Sequence, residues 1–133
     1  MMNLRSRDQI VGNAALAARL CIDSVNLYAA HARHVAKHGN LVPHAFMGDV
    51  LARAGACLAP GAKNASHLRA ELTGILATLE GAMAGGDHET CSVISISFVW
   101  DAQDEPFFAE LRPMLGPRLG KLARWTPAAR DAR

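Results

Sequence analysis

The chain has 133 residues, half of them hydrophobic, with 14 basic and 12 acidic side chains and a net charge of +2. That is the size of one domain, burying roughly two-thirds of the surface its unfolded chain exposes, and the charge balance gives no electrostatic case for nucleic-acid binding. Three widely spaced cysteines (Cys21, Cys57, Cys91) form no CxxC pair or disulfide framework, no apolar run reaches the ~18 residues of a membrane span, and the opening MMNLRSRDQIVGN lacks the apolar core of a secretory signal, so a reducing cytoplasm is the expected compartment.

In chain order, residues 1–6 read as a frayed start. Asp8 to Arg19 has the pattern of a helix weakened by Gly12 and Asn13. A second helix, or a continuation of the first, runs from Ile22 or Asp23 to Lys37. Its apolar residues at spacings of four and three give a core stripe of Cys21, Val25, Tyr28, Ala32 and Val35, and Gly39-Asn40 ends it. Pro43 suits the first turn of a third helix to about Leu58. Phe46, Val50, Ala54 and Cys57 would face inward there, with Met47 and Leu51 beside them. Pro60-Gly61 closes that helix. Asn64 or Ser66 caps a fourth, which runs to about Ala84 with Leu68, Leu72, Ile75, Leu79 and Met83 as its buried face. Gly85-Gly86 stops it.

The most apolar run is Asp87 to Ala102, DHETCSVISISFVWDA. Ile94, Ile96, Phe98 and Trp100 alternate as in a strand, whereas Cys91, Ile94 and Phe98, and likewise Val93, Ile96 and Trp100, recur at helical spacing. No other segment offers a partner strand. Asp87 can cap a helix, and Glu89 suits its first turn. A buried helix is therefore expected, despite β-branched residues of weak helix propensity. Gln103 to Glu105 is an acidic turn, and Pro106 opens a short helix holding Phe107, Phe108 and Leu111. Pro113 and Gly116 end or kink it. Pro117 opens a last helix with Leu119, Leu122 and Trp125, and the closing TPAARDAR has no apolar face and reads as disordered. With aromatics at only 5%, which favours helix over sheet, the expected architecture is all-α. It is a single domain over residues 1–125, five to seven helices packed as antiparallel pairs, followed by a flexible tail at 126–133.

Few residues form a chemical constellation. His31, His34 and His38 share a face at i, i+3 and i+7, where imidazoles on adjacent turns are a potential zinc set. No HExxH or closed ligand set accompanies them, and a solvated flank is the simpler reading. Ser92, Ser95 and Ser97 lie among large apolar residues with no GxSxG elbow, and hydroxyls in a crowded helix bond back to the preceding turn. The cysteines fall on inward faces as small hydrophobes. Arg112, Arg118, Lys121 and Arg124 make a basic strip without interleaved aromatics, as a solvated helix face does. No catalytic residue, metal ligand or cofactor is assigned, and an enzyme is not expected.

Three stretches carry a likeness: LVPHAFMGDVLARA at 41–54, LTGILATLEGAMAGGDHETCSVISISFVWDA at 72–102, and LRPMLGPRLGKL at 111–122. In this order they resemble a family of small bacterial helical proteins. That family has a PHxxxGD element opening a helix, a leucine-rich helix followed by an acidic turn and an apolar helix ending in a bulky aromatic, and a leucine-glycine-proline-basic-leucine element near its C-terminus. Trp100-Asp101-Ala102 departs from the family's leucine-glutamate-asparagine-like close. Members resemble immunity proteins encoded beside polymorphic or contact-dependent toxins. The resemblance implies a cytoplasmic protein that neutralises a cognate toxin domain by stoichiometric occlusion, with no catalytic residue, no cofactor, and neither nucleic acid nor membrane as partner.

On that reading the expected contact regions are the loop at 101–105 and the segment at 44–49. Asp101, Asp104 and Glu105, with Asp87 and Glu89, concentrate acid at both ends of the apolar helix and would oppose the basic active site of a nuclease. Equally, Asp87 and Glu89 suit a helix N-terminus and the others a turn. His44 and Asp49 form a polar pair near a helix start, suited to an anion or a partner. Alternatively, His44 is satisfied by nearby backbone while Gly48 admits a close helix. Two other readings stand beside immunity: a small metal-binding or catalytic helical protein using the histidine stripe, and a self-associating adaptor with an exposed apolar face.

Overall fold

A computed structural model describes residues 12–85 and 87–131, with side chains as far as Arg124. Every regular element among the described residues is a helix: α1 (Asn13–Asp23), α2 (Val25–His38), α3 (Pro43–Cys57), α4 (Ala65–Gly85), α5 (His88–Ile94), α6 (Phe108–Leu111) and α7 (Pro117–Asp131). No helix among them is long and apolar enough to cross a membrane. The expected start at Asp8 and the frayed residues 1–6 lie outside the described part. Helix α1 opens there at Asn13, with Gly12 at φ 93° as its N-cap, a conformation glycine adopts without steric cost.

One extended residue separates α1 from α2. Ser24, at φ −146° and ψ 118°, accepts the Leu27 N–H on its hydroxyl at 3.1 Å and so caps α2. This break resets the helical phase and overturns the expected α2 stripe. Val25 and Tyr28 are 76% and 64% exposed. Ala32 is exposed as well, and Cys21 and Val35 are half-buried. Leu27 and His34 are the buried residues of α2. The inward face carries polar atoms with partners of their own, which an apolar pattern cannot register. At the other end Gly39 takes φ 86° and its N–H reaches the Val35 carbonyl, the left-handed C-cap expected of it.

Helices α3 and α4 follow the sequence closely. Phe46, Met47, Val50, Leu51, Ala54 and Cys57 are all buried on α3. On α4, Leu72, Ile75 and Leu79 are buried, with Leu68 and Met83 half-buried at the rim of the core. The longest helix, α4, touches α1, α3, α5 and α7 and is the axis of the packing. Gly48 has open space where a Cβ would sit, so it mediates no close helix contact. Gly55 does that work instead: a Cβ there would lie 2.5 Å from the Phe107 ring.

The apolar run is helical. Asp87 accepts the Thr90 N–H and caps α5. From Ser95 to Trp100 the helix widens into a π-helical turn, whose i→i+5 hydrogen bonds admit an extra residue per turn. The widened turn buries Ser97, Phe98 and Val99 together. Ile96 is left 45% exposed and Trp100 half-buried, so the expected Val93, Ile96 and Trp100 face does not form.

After an acidic turn, Pro106 lies in the turn itself and Phe107 precedes α6, correcting the expected start at Pro106. A 3₁₀ turn at Arg112–Met114 comes next. Helix α7 continues to Asp131, so residues 126–131 are helical in backbone rather than a disordered tail. Extending an existing helix gains a hydrogen bond per residue and needs no apolar face. At its start, Glu80 of α4 accepts the N–H groups of Arg118 at 2.8 Å and Leu119 at 3.1 Å. A carboxylate there satisfies orphan donors and suits the positive end of the helix dipole.

Candidate functional site

Asp101, Asp104 and Glu105 are all exposed on the turn after the π-helical segment. The backbone of this turn is satisfied locally: the Gln103, Asp104 and Glu105 N–H groups donate to the carbonyls of Trp100, Asp101 and Ala102 at 3.0–3.2 Å. Its shape therefore does not depend on the carboxylates. His44, at the start of α3, places Nδ1 2.6 Å from the Ser97 hydroxyl. The start of α3 is thus pinned to the turn that leads into Asp101.

His44 and Asp49 do not form the expected pair. Five residues apart on one helix, they lie about 140° from each other around its axis. His44 turns to the π-helical segment. Asp49 turns to α2, its Oδ2 3.8 Å from His34 Nδ1. The Ser97–His44 contact has the elements of a nucleophile and base, but Ser97 is buried within a helix. The surrounding helical N–H groups are committed to their own ladder and cannot gather around an oxyanion. The contact ties two helices together.

The histidine stripe is drawn into the α2–α3 packing. His34 is buried, and its Nε2 accepts the Val42 N–H at 2.9 Å. This fixes neutral His34 with its proton on Nδ1, facing Asp49. The His38 ring lies 4.5 Å from that of His34, and His31 meets Phe46 edge-on at 5.3 Å. No group of three or more histidine, cysteine or acidic side chains among the described residues is arranged to hold a metal ion. Burial pushes the His34 pKa down, the neighbouring His38 adds to this, His31 and Lys37 act the same way, and Asp49 opposes.

A folded-state pKa below the unfolded value of about 6.5 means that the unfolded chain binds the proton first. Stability is then complete above about pH 6.5 and declines as pH falls toward the folded value. Urea midpoints measured between about pH 5 and pH 8 should show this decline, and His34→Gln should flatten it. An unchanged slope in the variant would assign the dependence to other groups.

Two further polar clusters are structural. Glu71 of α4 accepts both Arg53 contacts at 2.8 Å and the Ser24 hydroxyl at 2.6 Å. Thr78 of α4 donates to Asp23 of α1. Cys57 is buried, while Cys21 and Cys91 are only half-buried. Burial pushes all three thiols up, which keeps them protonated and poorly nucleophilic.

One feature is not expected from the sequence motifs. Between α2 and α3 runs a groove of about 650 Å³, floored by Ala29, Ala30, Ala45 and Ala52 and edged by Arg33 and Lys37. A signal for it does exist: the fourteen residues of α2 include no carboxylate. Set against protein-family models, curated proteins and solved structures, the chain matches none.

Proposed function

We propose that the protein is a non-catalytic binding protein of the immunity type, which occludes the basic active site of a toxin domain with its acidic turn. The observation that carries the site is the placement of Asp101, Asp104 and Glu105, exposed on one short turn between helices, beside an α3 start pinned through His44 and Ser97. Rigid carriage of several like charges is what electrostatic steering of an oppositely charged partner needs. The likeness of the three sequence stretches supplies the class of partner. Asp49 leaves the contact set, because it faces the α2–α3 groove.

The test is binding to the toxin-like domain encoded next to this gene, measured by stopped-flow fluorescence. Reversing Asp101 and Asp104 to lysine should slow association roughly tenfold or more at low salt, with the effect shrinking as salt is added. Equal rates for the wild type and the reversed variant would remove the acidic turn from the interface. A neighbouring gene product that does not bind at all would remove the immunity reading itself.

A further inference from the structure

The outward side of α2 is apolar. Ile22, at the end of α1, is 75% exposed, Val25 is 76% and Tyr28 is 64%, and Ala29, Ala32 and Ala36 are exposed as well. At about 100° per residue, Val25, Ala29, Ala32 and Ala36 fall within about 60° of one another, opposite the buried Leu27. Three of the four are alanines, which let another backbone approach closely. Arg33 and Lys37 flank this stripe on the side where the groove toward α3 begins.

Charge identifies the occupant. Among the described residues no carboxylate pairs with Arg33 or Lys37. The other arginine of the groove, Arg53, is held by Glu71, and the acidic residue of its lining, Asp49, is turned to His34. A second copy of the chain is a poor fit, because two α2 faces brought together would collect four cations with no anion between them.

We propose that the α2 face and the adjoining groove receive an acidic amphipathic helix of a partner protein. The partner's small apolar side chains pack on the stripe from Val25 to Ala36, and its carboxylates meet Arg33 and Lys37. This is the helix-in-groove mode of recognition, with anchors at i, i+3, i+4 and i+7. The surface is opposite in sign to the turn at 101–105 and does not depend on the toxin-binding reading.

The probe is a fluorescein-labelled synthetic helix of about five turns, with leucine and alanine on one face and glutamate on the other. Its companion carries lysine in place of every glutamate. Fluorescence anisotropy with the full-length protein should show the glutamate helix binding at least about tenfold more tightly than the lysine helix. The double variant Arg33→Glu with Lys37→Glu should reverse that preference, and Val25→Glu should weaken both. All three side chains are exposed, so circular dichroism of the variants should match the wild type. Equal binding of the two peptides, absence of binding, or indifference to the double variant overturns the proposal. So does a dimer of the protein alone that Val25→Glu dissolves in sedimentation, since a second copy would then cover the face.

Discussion

Phe98→Ala is expected to lower folding stability by about 3–5 kcal/mol, the usual cost of removing a fully buried aromatic side chain. Phe98 is 0% exposed and, with Phe46, is one of the two bulkiest side chains in the core. It sits inside the π-helical turn, which contacts both α3 and α7, so the cavity would open where three helices meet. Well-packed interiors relax only in part around such a void. Ile96, two residues earlier and 45% exposed, is the internal control, and Ile96→Ala should cost under about 1 kcal/mol. Urea denaturation monitored by circular dichroism measures both. Comparable losses would mean that the segment is a regular α-helix with Ile96 turned inward.

Glu71→Ala should be nearly as damaging, at roughly 3 kcal/mol, because removing one partner of a largely buried ion pair strands the other. The Arg53 and Glu71 side chains are 21% and 12% exposed, so solvent relieves some of the burden. Glu71 also accepts the hydroxyl of Ser24, the residue that caps α2. One carboxylate therefore joins α4 to α3 and to the α1–α2 corner. The Arg53 hydrogen bonds hold the Glu71 carboxyl below its ordinary range; burial opposes this, and the Ser24 hydroxyl reinforces it. For a carboxyl so depressed, the stabilisation is present above the unfolded value of about 4.3 and disappears as pH falls through the lower folded value. The stability gap between wild type and Glu71→Ala should thus be constant near neutrality and narrow below about pH 4.3. A gap that persists undiminished in acid would show that packing, not charge, is what Glu71 contributes.

Legibility in the sequence tracks how each face is buried. Helices α3 and α4 are readable because their inward residues are apolar and their ends carry Pro43 and the glycines after Ala84. The apolar run reads as a helix from the Asp87 cap and the lack of a strand partner, and the cap is in place. Helix α2 defeats an apolar pattern because its inward side holds Ser24 and His34, polar residues whose hydrogen bonds come from α4 and from the loop after α2. The apolar side, which periodicity assigns to the core, faces out.

The widened turn at Ser95–Trp100 has no propensity signature of its own, so its rotation of Ile96 out of the core cannot be anticipated from residue types. Of the expected contact residues, the structure groups Asp101, Asp104 and Glu105 on one turn and ties His44 to the segment before it. It sends Asp49 elsewhere, because a spacing of five does not share a helix face. The basic groove leaves only one trace in the sequence, the absence of carboxylates from α2.

The π-helical turn also makes the direction of the chain beyond it a matter of counting. Losing a single residue between positions 95 and 100 would let that stretch relax into an ordinary α-helix and swivel the downstream segment by about 100°. The acidic residues would then point along another bearing while their composition stayed the same. In this scaffold, aim and content are separately heritable: a one-codon change could re-target the molecule without altering any residue that touches a partner.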